Sequence, residues 1–469
     1  MFRDGQASLM KLFFVNAKMQ GQKVIPLRIC IFAFFISSFF SCTSTQLLTK
    51  KEKNNLHSQI VDSPIFSKSQ TGFALYDPVA KEMLYEQDAD ILFTPASNTK
   101  IFTLYAALKI LGDSIPALRY IERGESLVFW GTGDPSLWHP DLPTDNSVEL
   151  LLADTTKQLF YCPENFMDER YGSGWAWDDY LYSYQVEKSA LPVFANSVCI
   201  EKDAGTTVTF VTPPYFGNQV NTTPNQLRNS PRFKRDRFQN NLQLQGKIKE
   251  DQSFQQTIPF VYSDQILLDI LQEKLKRPIE LLSTFPSDPT LQKQTIYSIS
   301  SDSLYQQMMQ ESDNFLAEQM LLLCANELFD TLNVRKTINY VKSELLADLP
   351  DPMRWVDGSG LSRYNLFSPR SIVRLLEKLY VEFPLDRILS IFPAGGESGT
   401  IQHYYSSSDR PYVFAKTGTL SNRHCLSGYL FTKSGKLLIF SFMHSNFYGS
   451  NKPLKEEMDR ILRRLHLEH

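Results

Sequence analysis

The sequence predicts an α+β domain whose chain is interrupted by a β-rich insertion. Strand-then-helix patterning begins near residue 70, and three strand-like runs followed by a helical pattern close the chain. Between them lie short strand-like runs and aromatic loops with little helical periodicity. At 469 residues the chain suits two or three domains, and 42% hydrophobic with 21% charged residues is ordinary globular usage. The net charge is −3, and Phe233 and Asp236 interrupt the densest basic run, 232–237, which is a poor footprint for nucleic-acid binding. No tandem period is present.

Lys23 and Arg28 precede an apolar run, 29–40, that ends at Ser41-Cys42. A bilayer-spanning helix needs roughly 20 apolar residues, so residues 1–41 read as an export signal. The cysteine after small residues points to a lipoprotein leader with Cys42 as the lipidated first mature residue. A plain secretory signal and an uncleaved anchor are the alternatives. The leader carries Arg3, Lys11, Lys18, Lys23 and Arg28 against only Asp4, so the remaining chain is more acidic than the whole. That suits a body held to a membrane by lipid alone rather than by a basic patch. Cys162, Cys199, Cys324 and Cys425 have wide spacing and no CxxC, which argues against a zinc knuckle or a thioredoxin-like site. The seven scattered histidines offer no metal-ligand spacing.

Polar residues across 42–67 read as a flexible stalk. Strands are expected at 71–76 and 82–86, joined by a turn at Asp77-Pro78, and a helix from Pro95 to Leu111, ended by Gly112. These make a first domain segment, 68–115, followed by inserted β-rich material over 116–255. The second segment, 256–469, contains helical patterns at 263–276, 303–329 (broken near 312–314) and 369–380. Strands are expected at 413–416, 425–432 and 436–442, with a last helix over 452–467. Trp175 and Trp177 read either as the core of a small module or as the lining of a groove.

Three short motifs carry chemistry. Ser97-Asn98-Thr99-Lys100 places a hydroxyl and an amine three residues apart on one helical face, where a desolvated lysine can take the serine proton. Alone it fits a capping serine and a surface lysine equally, as Ser8-Leu9-Met10-Lys11 illustrates. Ser312-Asp313-Asn314 lies in a helix break, where its hydroxyl and amide can relay a proton and hold a carbonyl, or simply cap a helix. Lys416-Thr417-Gly418-Thr419 follows an apolar run. A strand edge there offers backbone hydrogen bonds to an extended peptide and a cation for a carboxylate, or is merely a strand end. Their order, SxxK then SxN then KTG, turns three weak signals into one strong one.

With residues 94–100, 131–137, 357–365 and 415–420, these motifs resemble the D-alanyl-D-alanine carboxypeptidase/endopeptidase family of the penicillin-binding protein 4 type, over about residues 70–450. The resemblance implies a penicillin-binding/β-lactamase-like transpeptidase domain, an antiparallel sheet with helices on both sides, with its insertion between SxxK and SxN. It implies Ser97 as acylated nucleophile, Lys100 as its base and Ser312 as proton shuttle. Asn314 would orient substrate, Lys416 and Thr417 would bind the terminal carboxylate, and Gly418 would permit close approach. The backbone amides of Ser97 and Thr419 would form the oxyanion hole. It implies peptidoglycan stem peptides as substrate, β-lactams as inhibitors, no cofactor or metal, and a periplasmic location. A β-lactamase and a non-catalytic wall-binding or β-lactam-sensing lipoprotein are the alternatives. The polar stretch 397–408 departs from what the family leads one to expect.

Overall fold

The computed structural model describes residues 48–225, 230–286 and 291–469; the leader and Cys42 lie outside them. Among the described residues no helix is long and apolar enough to cross a membrane.

An all-antiparallel sheet of five strands organises the first and last parts of the chain. Its order is Val413–Leu420, Arg423–Phe431, Leu437–Ser445, Gln70–Asp77 and Glu82–Gln87. Strand Leu437–Ser445 is buried along its whole length, and its alternation feeds two cores. Leu437, Ile439 and Met443 join the helices Thr99–Ile110, Asn314–Phe329 and Pro369–Glu382 on one face. Leu438, Phe440 and Phe442 join the helices Lys50–Val61 and Lys452–Glu468 on the other. Phe73 and Phe442 face each other in register, their rings stacked 3.9 Å apart. Helices on both sides of an antiparallel sheet agree with the expected architecture.

Two expectations need correction. The polar segment 42–67 contains a docked helix, Lys50–Val61, rather than a stalk throughout. Thr49 and Glu52 form a reciprocal capping box at its start, and Leu56 and Ile60, one turn apart, are buried beside the C-terminal helix. Arg464 and Arg460 of that helix reach Asn55 and Gln59. Polar composition concealed a narrow apolar stripe.

The inserted material is also longer than 116–255. Strand Ser114–Arg123 pairs with Gln294–Ser300 in a second five-stranded sheet, completed by Ser126–Gly131, Gln158–Tyr161 and Ile279–Leu281. Helix Asp264–Leu275 packs into the same separate core through Leu267, Leu268 and Leu271, so the chain leaves this module only at residue 300. Entry and exit are tied together: Ser301 N–H donates to the Asp113 carbonyl (2.9 Å) and its hydroxyl to that of Gly112 (2.6 Å).

Leu56→Ala is expected to cost about 2–4 kcal/mol and to lower the calorimetric unfolding midpoint of the whole chain by several degrees. An unchanged midpoint would mean that the N-terminal helix contributes nothing to the fold.

Candidate active site

Residues 95–99 form a tight entry to the helix Thr99–Ile110. Ala96 adopts a left-handed conformation (φ +48°), and one 3₁₀ turn, Ala96–Asn98, delivers Ser97. Gly360 (φ +83°) accommodates this turn, since a Cβ there would lie 1.8 Å from the Ala96 carbonyl oxygen. Asn98 is fully buried and stitches the turn to the sheet. Its amide donates to the Lys416 carbonyl (2.7 Å), and its oxygen accepts from the Ser427 hydroxyl (2.7 Å). Sequence reading passed over Asn98, which occupies a free position of SxxK; only a buried partner gives it a role.

Lys100 is fully buried. Its Nζ lies 3.1 Å from Ser97 Oγ and donates to Asn314 Oδ1 at 2.6 Å and to the Ser359 carbonyl at 2.8 Å. Burial pushes the amine down to about 8, although Asp313, Asp357 and Glu318 pull the other way.

The break expected near 312–314 separates Ser301–Gln310 from Asn314–Phe329. Ser312 takes a left-handed conformation (φ +61°) and Asp313 caps the second helix, accepting from Leu316 N–H. Asn314 then opens the helix with both ends of its amide engaged, Nδ2 donating to the Tyr184 carbonyl at 2.9 Å. Capping therefore falls to Asp313, while Asn314 turns its amide oxygen to the Lys100 amine. Among the described residues the Ser312 hydroxyl makes no hydrogen bond to Ser97, Lys100 or Lys416.

KTG lies on the edge strand Val413–Leu420. The segment 393–395 covers the start of this edge, where Ala415 N–H donates to the Pro393 carbonyl and Gly395 N–H to that of Val413. Strand alternation turns the backbone groups of Thr417 and Thr419 to the same side, beyond that cover. A Cβ at Gly418 would lie 2.4 Å from the Pro95 carbonyl oxygen and 3.1 Å from Ser97 N, so this strand runs against the serine turn. Lys416 is fully buried, and burial together with the neighbouring Lys100 amine pushes it well below the usual lysine range. The Thr417 hydroxyl donates to that of Thr400 (2.7 Å), and the Thr419 hydroxyl meets His424 Nδ1 at 3.0 Å. Thr400 thus belongs to the polar stretch that looked anomalous in sequence.

The Gly-rich segment 357–360 is a turn built around Asp357. One carboxylate oxygen accepts from Gly360 N–H and the Asn365 amide, the other from Ser362 N–H and Trp175 Nε1 (2.9 Å). Trp175 therefore ties the insertion to the main body, whereas Trp177 is largely exposed with the Arg237 guanidinium 4.9 Å above its ring. Among the described residues no three His, Cys, Asp or Glu side chains gather into a metal-holding group.

Residues 52–465 match the model of the D-Ala-D-Ala carboxypeptidase 3 (S13) family. The chain belongs to this family. The D-alanyl-D-alanine carboxypeptidase DacB of Haemophilus influenzae is 24% identical over 420 residues, covering 79% of this chain and 84% of that one. A D-alanyl-D-alanine carboxypeptidase of Actinomadura sp. is 26% identical over 442 residues, covering 83% and 80%. The crystal structure of penicillin binding protein 4 (dacB) from H. influenzae superposes with a TM-score of 0.70 at 21% identity, over 88% of this chain and 99% of that one. The carboxypeptidase thus has the fold its motifs implied.

Asn98→Ala removes the bridge between the serine turn and the sheet, taking one partner from the Lys416 carbonyl and one from the Ser427 hydroxyl, which keeps Ser441. A loss of about 1–3 kcal/mol in stability is expected, read as a lower denaturation midpoint, together with slower D-alanine release from a peptide ending in D-Ala-D-Ala. Wild-type values for both would show that the bridge is dispensable.

Proposed function

We propose that this carboxypeptidase works through an acyl-enzyme on Ser97, and that the arrangement around Lys100 carries the mechanism. A neutral amine has two N–H donors and one lone pair. The carbonyl oxygens of Asn314 and Ser359 engage both donors, which leaves the lone pair for the Ser97 hydroxyl. Lys100 then accepts the hydroxyl proton as Ser97 Oγ attacks the carbonyl carbon between the two terminal D-alanines. The oxyanion rests on the N–H groups of Ser97 and Thr419, a reading supported by the close approach of the Gly418 strand to Ser97 N. The C–N bond breaks as the departing amine takes a proton delivered through Lys100 and the Ser312 hydroxyl. Water later hydrolyses the ester and restores Ser97.

Recognition follows from the edge strand. An extended stem peptide adds to it through the backbone of Thr417 and Thr419, while Lys416 and the Thr417 hydroxyl hold the terminal carboxylate and Gly418 keeps the path clear. Because two buried amines disfavour each other's charge, an arriving carboxylate is bound most favourably there. A cross-link with a similarly placed carboxylate would be cut by the same groups, which makes the protein an endopeptidase as well. β-Lactams should acylate Ser97 as substrate mimics, in keeping with an H. influenzae relative crystallised with one. The leader motif supports an exported, periplasmic protein anchored through lipid on Cys42.

Fluorescent penicillin is expected to label the wild type but not Ser97→Ala, and Lys100→Ala should slow labelling by about 10²–10⁴-fold. Equal labelling of the wild type and Ser97→Ala would overturn the assignment. Since Lys100 acts uncharged, acylation should speed up as pH rises through about 8. A rate flat from about pH 6 to 9 would exclude Lys100 as the base.

A further inference from the structure

One buried ionisable group beside Lys100 has no part in that mechanism. Glu318 sits one helical turn beyond Asn314, on the same face of Asn314–Phe329, and is 1% exposed. Its Oε1 accepts from Ser359 N–H at 2.8 Å, and the carbonyl of the same Ser359 accepts from Lys100 Nζ at 2.8 Å. Its Oε2, although buried, has no hydrogen-bond partner among the described residues. Gly358 fixes the separation, because a Cβ there would lie 2.5 Å from the Ala317 carbonyl oxygen. One residue of the turn is therefore held by the carboxyl on one side and by the lysine amine on the other.

We propose that Glu318 is a positioning residue that clamps Ser359 against Lys100 and, through its own charge, sets the pH at which Lys100 becomes a base. This rests on the reading of Lys100 given above. The groups facing the carboxyl come from three other elements: Asp357 from the same turn as Ser359, Lys188 from the insertion (itself 3.3 Å from Asp168), and Lys100 from the serine helix. Further along the site Asp313 acts on Lys100, and Lys100 and Glu311 act on Lys416. Burial, with Asp357 beside it, holds the Glu318 carboxyl well above the ordinary carboxylate range. Once ionised, Glu318 stabilises the charged form of Lys100 and delays its deprotonation.

The test is single-turnover acylation by fluorescent penicillin from about pH 5.5 to 9.5, on the full chain, for wild type, Ser97→Ala, Glu318→Gln and Glu318→Asp. Glutamine keeps an oxygen for Ser359 N–H but has no charge, so its acidic limb should move down by about half to one pH unit. Aspartate keeps the charge but loses the reach, so it should slow acylation at least about tenfold with the limb unmoved. Coincident limbs for wild type and Glu318→Gln, or a uniform loss of rate without a shift, would overturn the proposal. Should the glutamine variant not fold, a wild-type rate in Glu318→Asp overturns it instead. Labelling of Ser97→Ala would sink the Ser97 assignment itself, whereas Ser97-dependent labelling with coincident limbs would sink the role of Glu318 alone.

Discussion

The placement of a single amine is the constraint on which the site depends. Lys100 Nζ is bound by Asn314 and by Ser359, residues that lie more than two hundred positions downstream of it, and only this double engagement leaves its third direction for Ser97. A lysine on an exposed helix would have its charge solvated and its side chain free to rotate. Here the helix supplies the spacing, while the break before Asn314 and the turn at 357–360 supply the orientation. Asn98 performs the matching task on the other side by fixing the serine turn to the edge strand. Each contact joins segments distant in sequence, so the geometry exists only when the whole domain is folded.

This explains what could be read from sequence. The five central strands have alternating or continuous apolar runs, and the helices that flank them have apolar periodicity and recognisable ends. The three motifs declare themselves through residue type and order. Asn98, Ser359, Thr400 and Glu318 do not, because a polar residue beside a motif looks the same whether it faces solvent or a buried partner. Strand 114–123 was missed because Pro116, Arg119 and Arg123 disguise it, although Ile115, Ala117, Leu118 and Ile121 are buried. The helix at 50–61 was missed for the opposite reason: its mean composition is hydrophilic, and two buried residues suffice to dock it. Local periodicity records burial on one face; it does not record which distant element provides the partner.

The insertion shows how a module can be added without displacing such a site. It enters and leaves through adjacent residues, Ser114 pairing with Ser300, so the helices on either side meet as though the chain were continuous. Its core is separate from those of the peptidase body. Yet it is not a passive appendage, because Trp175 reaches Asp357 and the Tyr184 carbonyl accepts from Asn314. Both contacts fall on residues that orient Lys100 or on the turn beside them. A displacement of the loop 172–184 would therefore be felt at the amine through two hydrogen bonds, without any change in the central sheet.

Burying Lys100, Lys416, Glu318 and Asp357 together is costly, since ionic groups removed from water recover that cost only with well-placed partners. Asp357 is the best provided, with donors on both oxygens. The others are less so: among the described residues Lys416 donates only to the Thr417 carbonyl, at 3.3 Å, and one Glu318 oxygen has no donor. Such a site lowers stability, and the rest of the fold must offset it. The central sheet does so by being buried on both faces, its long strands feeding two apolar cores at once. On the proposed mechanism the incomplete pairing is where chemistry acts: burial makes Lys100 give up its proton readily, and Lys416 holds its charge most favourably once a carboxylate arrives. Supplying Lys416 with a permanent acidic partner would steady the protein and, on the proposed mechanism, occupy the position that the substrate's terminus must take.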